Sequence, residues 1–161
     1  MFLNFLMVQI NGSKTFQILI FLNNMTKKEV TDLSYKIVGC AITVHKQLGP
    51  GLLESVYEEC LKYELELQGF TVRQQVVIPV VYKEISMDVD LRPDLLVNDT
   101  VVVELKAVEN ILPVHEAQLL TYMKLLKKPQ GLLINFYTDN ISKTLKPFVN
   151  EYFRELEVEW N

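Results

Sequence analysis

At Gly69 the spacing of apolar residues changes from three and four to two, and a chain that carries both periods in succession is neither all helix nor all strand. Upstream, Thr26-Lys27-Lys28-Glu29 has the spacing of a capping box, with Met25 and Val30 placed for the accompanying hydrophobic staple. The helix so started carries Val30, Leu33, Ile37, Val38, Ala41, Ile42, Val44 and Leu48 and stops at Gly49-Pro50-Gly51. A second helix from about Leu52 to Gln68 carries Leu53, Val56, Tyr57, Cys60, Leu61 and Leu65, and Gly69 terminates it.

Beyond Gly69, every second position from Phe70 to Tyr82 reads as one strand, with Pro79 marking a bulge or an edge. Lys83-Glu84 turns the chain into a short strand from Ile85 to about Asp90. Strands at roughly Pro93 to Val97 and Val101 to Ala107 follow, joined by a turn at Asn98-Asp99-Thr100. A third helix covers about Val114 to Lys127, and Gly131 to Phe136 reads as a buried strand. Ile141 to Val149 offers an edge strand, and Glu151 to Asn161 a helical or loose end. Helices before and after hairpin-connected strands imply an α/β layer with a mostly antiparallel or mixed sheet, not a doubly wound parallel one.

The 161 residues suit one domain, expected over 25–149, with an apolar extension at 1–24 and a tail at 150–161. The extension's apolar runs, Met1 to Ile10 and Phe16 to Leu22, are split by Asn11-Gly12-Ser13-Lys14, and neither reaches the roughly 18 to 20 residues that span a bilayer. No membrane association and a cytoplasmic location are expected, with Met25 as the natural initiator. Cys40 and Cys60 fall within helical apolar patterns and lack metal-site spacing, so both read as reduced core residues. The net charge of −4 and pI near 5.2 argue against a basic protein that coats nucleic acid.

Val101-Val102-Val103 implies a strand buried on both faces, where an ionisable residue is costly unless paired or bound to metal. Glu104 and Lys106 nonetheless sit on it, sharing one face while Val103 and Leu105 occupy the other. Asp94 lies across the adjoining hairpin, so three charged groups converge in one partly buried place. Register decides whether they meet. A two-residue turn at Asn98-Asp99 would set Asp94 opposite Val103, on the wrong face. A three-residue loop at Asn98 to Thr100 pairs Val97 with Val101 and sets Asp94 opposite Glu104. The odd loop, or a bulge near Asp94 with the same effect, is the expectation.

Pro93-Asp94, a short hairpin, then Glu104-Leu105-Lys106 resembles the motif of the PD-(D/E)XK nuclease superfamily. Gly51-Leu52-Leu53-Glu54-Ser55-Val56-Tyr57 looks like the G-x-x-E-x-x-Y signature of a family of small bacterial proteins assigned to that superfamily. The flanking Val44 to Pro50 and Pro113 to Gln118 are similar to it as well. The resemblance implies a single restriction-endonuclease-like domain, a mixed central sheet flanked by helices, hydrolysing phosphodiester bonds of DNA or RNA. Asp94 and Glu104, joined by the Leu105 carbonyl, would hold Mg²⁺ or Mn²⁺ through hard oxygen ligands. The ion would polarise the scissile phosphate and activate a water. Lys106 would orient that water or stabilise charge developing on phosphorus. Glu54, on one side of helix two with Tyr57 and Glu58, is the helical acid expected to complete the metal site. Gln118 and Tyr122, four apart on helix three, resemble the Q-x-x-x-Y motif of the superfamily's exonuclease branch, which lines the catalytic or DNA-proximal surface.

Gly49-Pro50-Gly51 reads as a helix break rather than a phosphate cradle, because Pro50 removes a donor. His45 and His115 lack a second histidine at metal spacing, which leaves capping or pocket-wall roles. The alternative function is a non-catalytic module of the same fold that binds a protein or nucleic-acid partner, supported by the acidic pI. A phosphoesterase acting on another substrate and a dimerisation module also fit. The shortage of Lys and Arg implies weak nucleic-acid affinity, with a protein partner or a homodimer supplying the rest.

Overall fold

The computed structural model describes residues 25–159, so the expected extension and the two final residues lie outside the described residues. Helix α1 (Lys27–Leu48) begins at the expected capping box: the Thr26 hydroxyl accepts the Glu29 N–H at 3.2 Å, and the Glu29 carboxylate accepts the Thr26 N–H at 2.8 Å. Val30, Leu33, Ile37, Ala41 and Val44 form its buried stripe. Left-handed backbone at Gly49 and Gly51 then turns the chain into α2 (Glu54–Leu67), which buries Tyr57, Leu61 and Leu65. This helix starts two residues later than expected, and Leu53 is exposed, because it caps the helix from outside rather than facing the core.

The alternation from Phe70 to Tyr82 is not one strand. It divides into β1 (Val72–Gln74) and β2 (Ile78–Tyr82), which belong to different sheets. The break falls at Gln75, whose φ of 51° redirects the backbone without disturbing the period of the side chains. Strand β2 pairs antiparallel with β3 (Ile85–Leu91) through the Lys83-Glu84 turn, and their register slips between Ile78 and Val80, around Pro79.

The main sheet is completed by β4 (Leu95–Val97), β5 (Val101–Lys106), β6 (Gln130–Asn135) and β7 (Lys146–Val149), in the order β1-β4-β5-β6-β7. Among the described strands only β5 and β6 run parallel, and α3 (Pro113–Leu125) makes the crossover that such a pair requires. The stretch expected as an edge strand from Ile141 is instead a short helix, α4 (Ile141–Thr144), before β7, because Asn140 caps the Ser142 N–H at 3.0 Å.

Alternation on β5 sorts the core into two layers. Val101, Val103 and Leu105 pack with α1 and α2, whereas Val102, Leu96 and Leu133 pack with Leu119, Tyr122 and Met123 of α3 and with Ile78 of the hairpin. Helix α3 lies so close to β6 that a Cβ on Gly131 would stand 2.6 Å from the Met123 sulfur. Past β7, α5 (Glu151–Arg154) brings the chain back to the start of α1, where the Lys27 N–H donates to the Glu157 carbonyl at 3.0 Å.

Candidate active site

Val97 pairs with Val101 and Leu95 with Val103, so Asn98 to Thr100 is the three-residue loop that the site requires. Asn98 and Asp99 take φ of 48° and 52°, and the Asn98 side chain accepts the Thr71 N–H at 2.9 Å. Asp99 is pinned by Arg73 and by Lys128. Extended by one residue, the register sets Asp94 across from Glu104, on the face of Leu96 and Val102. Strand β4 begins only at Leu95, so Asp94 stands just before it and not within it as expected. Its carboxylate takes the place of the missing strand: Oδ2 accepts the Leu105 N–H at 2.7 Å.

Lys106 gathers the site around its ammonium. Nζ lies 2.9 Å from Glu104 Oε1, 3.3 Å from Glu54 Oε1 and 2.8 Å from the Leu105 carbonyl. Glu54 reaches over the end of β5 from the first turn of α2, and its other oxygen accepts the Ala107 N–H at 3.2 Å. Tyr57 fixes that reach. Its hydroxyl donates to the Gly49 carbonyl at 2.5 Å and accepts the Leu52 N–H at 3.1 Å, while its ring stacks on Phe136 at 4.3 Å. Phe136 in turn donates its N–H to the Lys106 carbonyl at 2.7 Å, so α2 and β5 are tied at the same end of the sheet.

The charges do not balance. Side-chain exposure is 3% at Glu104 and 11% at Lys106, and one ammonium faces the carboxyl groups of Asp94, Glu104 and Glu54. Burial and then the nearby Glu104 push the Asp94 carboxyl up to about 7, against the Leu105 N–H and Lys106, which favour its ionised form. Burial lowers the Lys106 pKa, but Glu104, Glu54 and Asp94 together outweigh it and hold the ammonium protonated. Glu104 Oε2 is buried with no hydrogen-bond partner. An unpartnered buried carboxylate oxygen beside a second carboxylate, with the carbonyl of the residue after Glu104 close by, is a hard-oxygen donor set that suits a divalent cation. Among the described residues no group of three or more His, Cys, Asp or Glu side chains is already gathered as a cation cage. The oxygens that could hold such an ion are those of Asp94, Glu104 and the Leu105 backbone, with Lys106 and Glu54 alongside.

A family model of the PD-(D/E)XK nuclease superfamily matches residues 31–148. The chain belongs to this superfamily. Comparison with curated proteins and with solved structures gave no match. PD-(D/E)XK nucleases generally use divalent metal ions, and the α/β domain with its mixed sheet flanked by helices is that of the superfamily.

Within this PD-(D/E)XK domain the structure brings Glu54, Asp94, Glu104, the Leu105 carbonyl and Lys106 together. Gln118 and Tyr122 are bonded to each other, Nε2 to hydroxyl at 2.6 Å, and Tyr122 packs on the same sheet face, but neither side chain bonds to the carboxylates. His115 caps α3, its Nδ1 accepting the Leu112 N–H at 3.2 Å, and His45 Nε2 donates to the Thr138 carbonyl at 2.7 Å. Three polar residues beside the site were not assigned to it from the sequence. Glu58 and Gln75 flank Asp94, and Asn135, paired with Lys106 across β6, ties down Val108 through both its N–H and its carbonyl. Only Glu58 carried a signal, its position one turn after Glu54. No helix among the described residues is long and apolar enough to cross a membrane.

Proposed function

We propose that this PD-(D/E)XK domain hydrolyses phosphodiester bonds of nucleic acid, with DNA as the first candidate and Mg²⁺ or Mn²⁺ as the cofactor. The single observation that carries the reading is the buried, unpartnered Glu104 oxygen beside Asp94 and Lys106. Bound at the Asp94 and Glu104 carboxylates and the Leu105 carbonyl, the cation would supply Lewis acidity to the phosphate and lower the pKa of a water. Lys106, its ammonium freed from Glu104, orients the attacking water and offsets charge gathering on phosphorus. Glu54 completes the acidic set from α2, and the Gln118–Tyr122 pair lines the approach for the nucleic acid.

Membership of the G-x-x-E-x-x-Y family fits the way Gly51, Glu54 and Tyr57 act as one unit, with the Tyr57 hydroxyl holding the loop that precedes Glu54. The free thiols of Cys40 and Cys60 are in keeping with a reducing, cytoplasmic compartment. The chain's excess of acidic residues favours weak affinity for the duplex and a protein partner, or a second copy, that delivers the substrate. The same excess favours a second reading, a module of this fold that binds a partner without cleaving. Incubation with single- and double-stranded DNA and RNA, in Mg²⁺, Mn²⁺ or EDTA, separates the two. Cleavage that needs the metal and falls at least about 100-fold in Asp94→Ala and Lys106→Ala is expected. Absence of both cleavage and metal binding would leave the binding module.

A further inference from the structure

Gln75 stands one residue beyond the Gln74–Leu95 pair, at the end of β1, and its N–H donates to the Asp94 carbonyl at 3.0 Å. Its φ of 51° is uncommon for a residue other than glycine or asparagine. The side chain is partly buried, and Nε2 donates to two carboxylates at once, Glu58 Oε1 at 2.8 Å and Asp94 Oδ1 at 3.3 Å. Glu58 is itself only 7% exposed. We infer that Gln75, backed by Glu58, is a positioning residue that fixes the plane of the Asp94 carboxylate for the cation. The inference rests on the reading of Asp94 and Glu104 as cation ligands.

The chemistry of the side chain supports the role. Leu105 and Gln75 give one donor to each Asp94 oxygen, which sets the orientation of the group and leaves lone pairs on both oxygens. The amide is neutral, so it separates two buried acids without adding a positive charge that would compete with the metal. A Lys or Arg in its place would cancel one of the negative charges that attract the cation. A hydrophobe would leave Glu58 and Asp94 without this donor and free to repel one another.

The test is Mn²⁺ affinity of the full chain, read from the electron paramagnetic resonance of free Mn²⁺, alongside a thermal melt. Gln75→Gly removes the amide while accepting the left-handed backbone, and Gln75→Asn also tolerates that backbone but is one methylene short of Asp94. Both variants should melt as folded proteins and bind Mn²⁺ about 10-fold more weakly, the usual cost of losing a partner of a metal ligand. Their cleavage should recover as Mn²⁺ is raised. Wild-type Mn²⁺ affinity in both variants, with binding lost in Asp94→Asn, would overturn the role of Gln75 and leave the ligand reading intact. Wild-type affinity in Asp94→Asn itself would remove the ligand reading, and the positioning role with it.

Discussion

Asp94 keeps its proton to about pH 7 in the folded chain, whereas an unfolded aspartate releases it near 4. The folded state thus binds the extra proton between those values. The stability this group confers on the metal-free protein is fully present below about pH 4 and is lost as pH rises through 7. Metal-free protein should therefore melt at a higher temperature at pH 6 than at pH 8, and Asp94→Asn should flatten that slope. A melt that rises toward pH 8 in EDTA would count against the burial argument. Metal reverses the sign, because the ligand must be ionised: Mn²⁺ affinity should climb across the same window. Lys106 does not titrate there, since its carboxylate neighbours hold its proton. Its positive charge is a constant of the site across this window.

Two elements hold these side chains in place, and each has its own test. The Tyr57 hydroxyl joins the Gly49 carbonyl to the Leu52 N–H at the entry to α2. Tyr57→Phe keeps the stack on Phe136 but strips both groups of a partner, a loss of about 1–2 kcal/mol in urea unfolding. Cleavage should fall with it, because Glu54 loses its footing. The β4–β5 loop sets register by parity. Deleting Asp99 leaves a two-residue turn, which swings Asp94 to the opposite face or forces β4 out of register. Metal binding should be abolished in this variant and retained in Asp99→Ala, which loses only the bonds to Arg73 and Lys128.

That parity was legible in the sequence, as were α1 with its cap, the buried valines and the polar face of β5. Each rests on a local rule that the tertiary structure obeys. The split between β1 and β2 was not, since one left-handed residue, Gln75, redirects the chain without a glycine or any change in the alternation. The same event hid Gln75, and with it the link that joins Glu58 to Asp94. Their burial depends on β1 ending beside α2, a meeting of segments that no period records.

At the scale of the molecule, 20 acidic against 16 basic side chains leave little long-range attraction for a polyanion. Metal-free affinity for a short duplex at physiological salt should be no tighter than about 10⁻⁶ M, by fluorescence anisotropy. Sub-micromolar binding with a steep salt dependence would contradict this. The contact between Glu157 and the first turn of α1 bears on how the domain can be rewired. Because both ends of the described chain emerge side by side, a short linker could close the backbone into a ring, and the ring could be reopened at the exposed Lys83-Glu84 tip. By the same geometry, a host protein could carry this domain as an insert in a surface loop without having its own fold pulled apart.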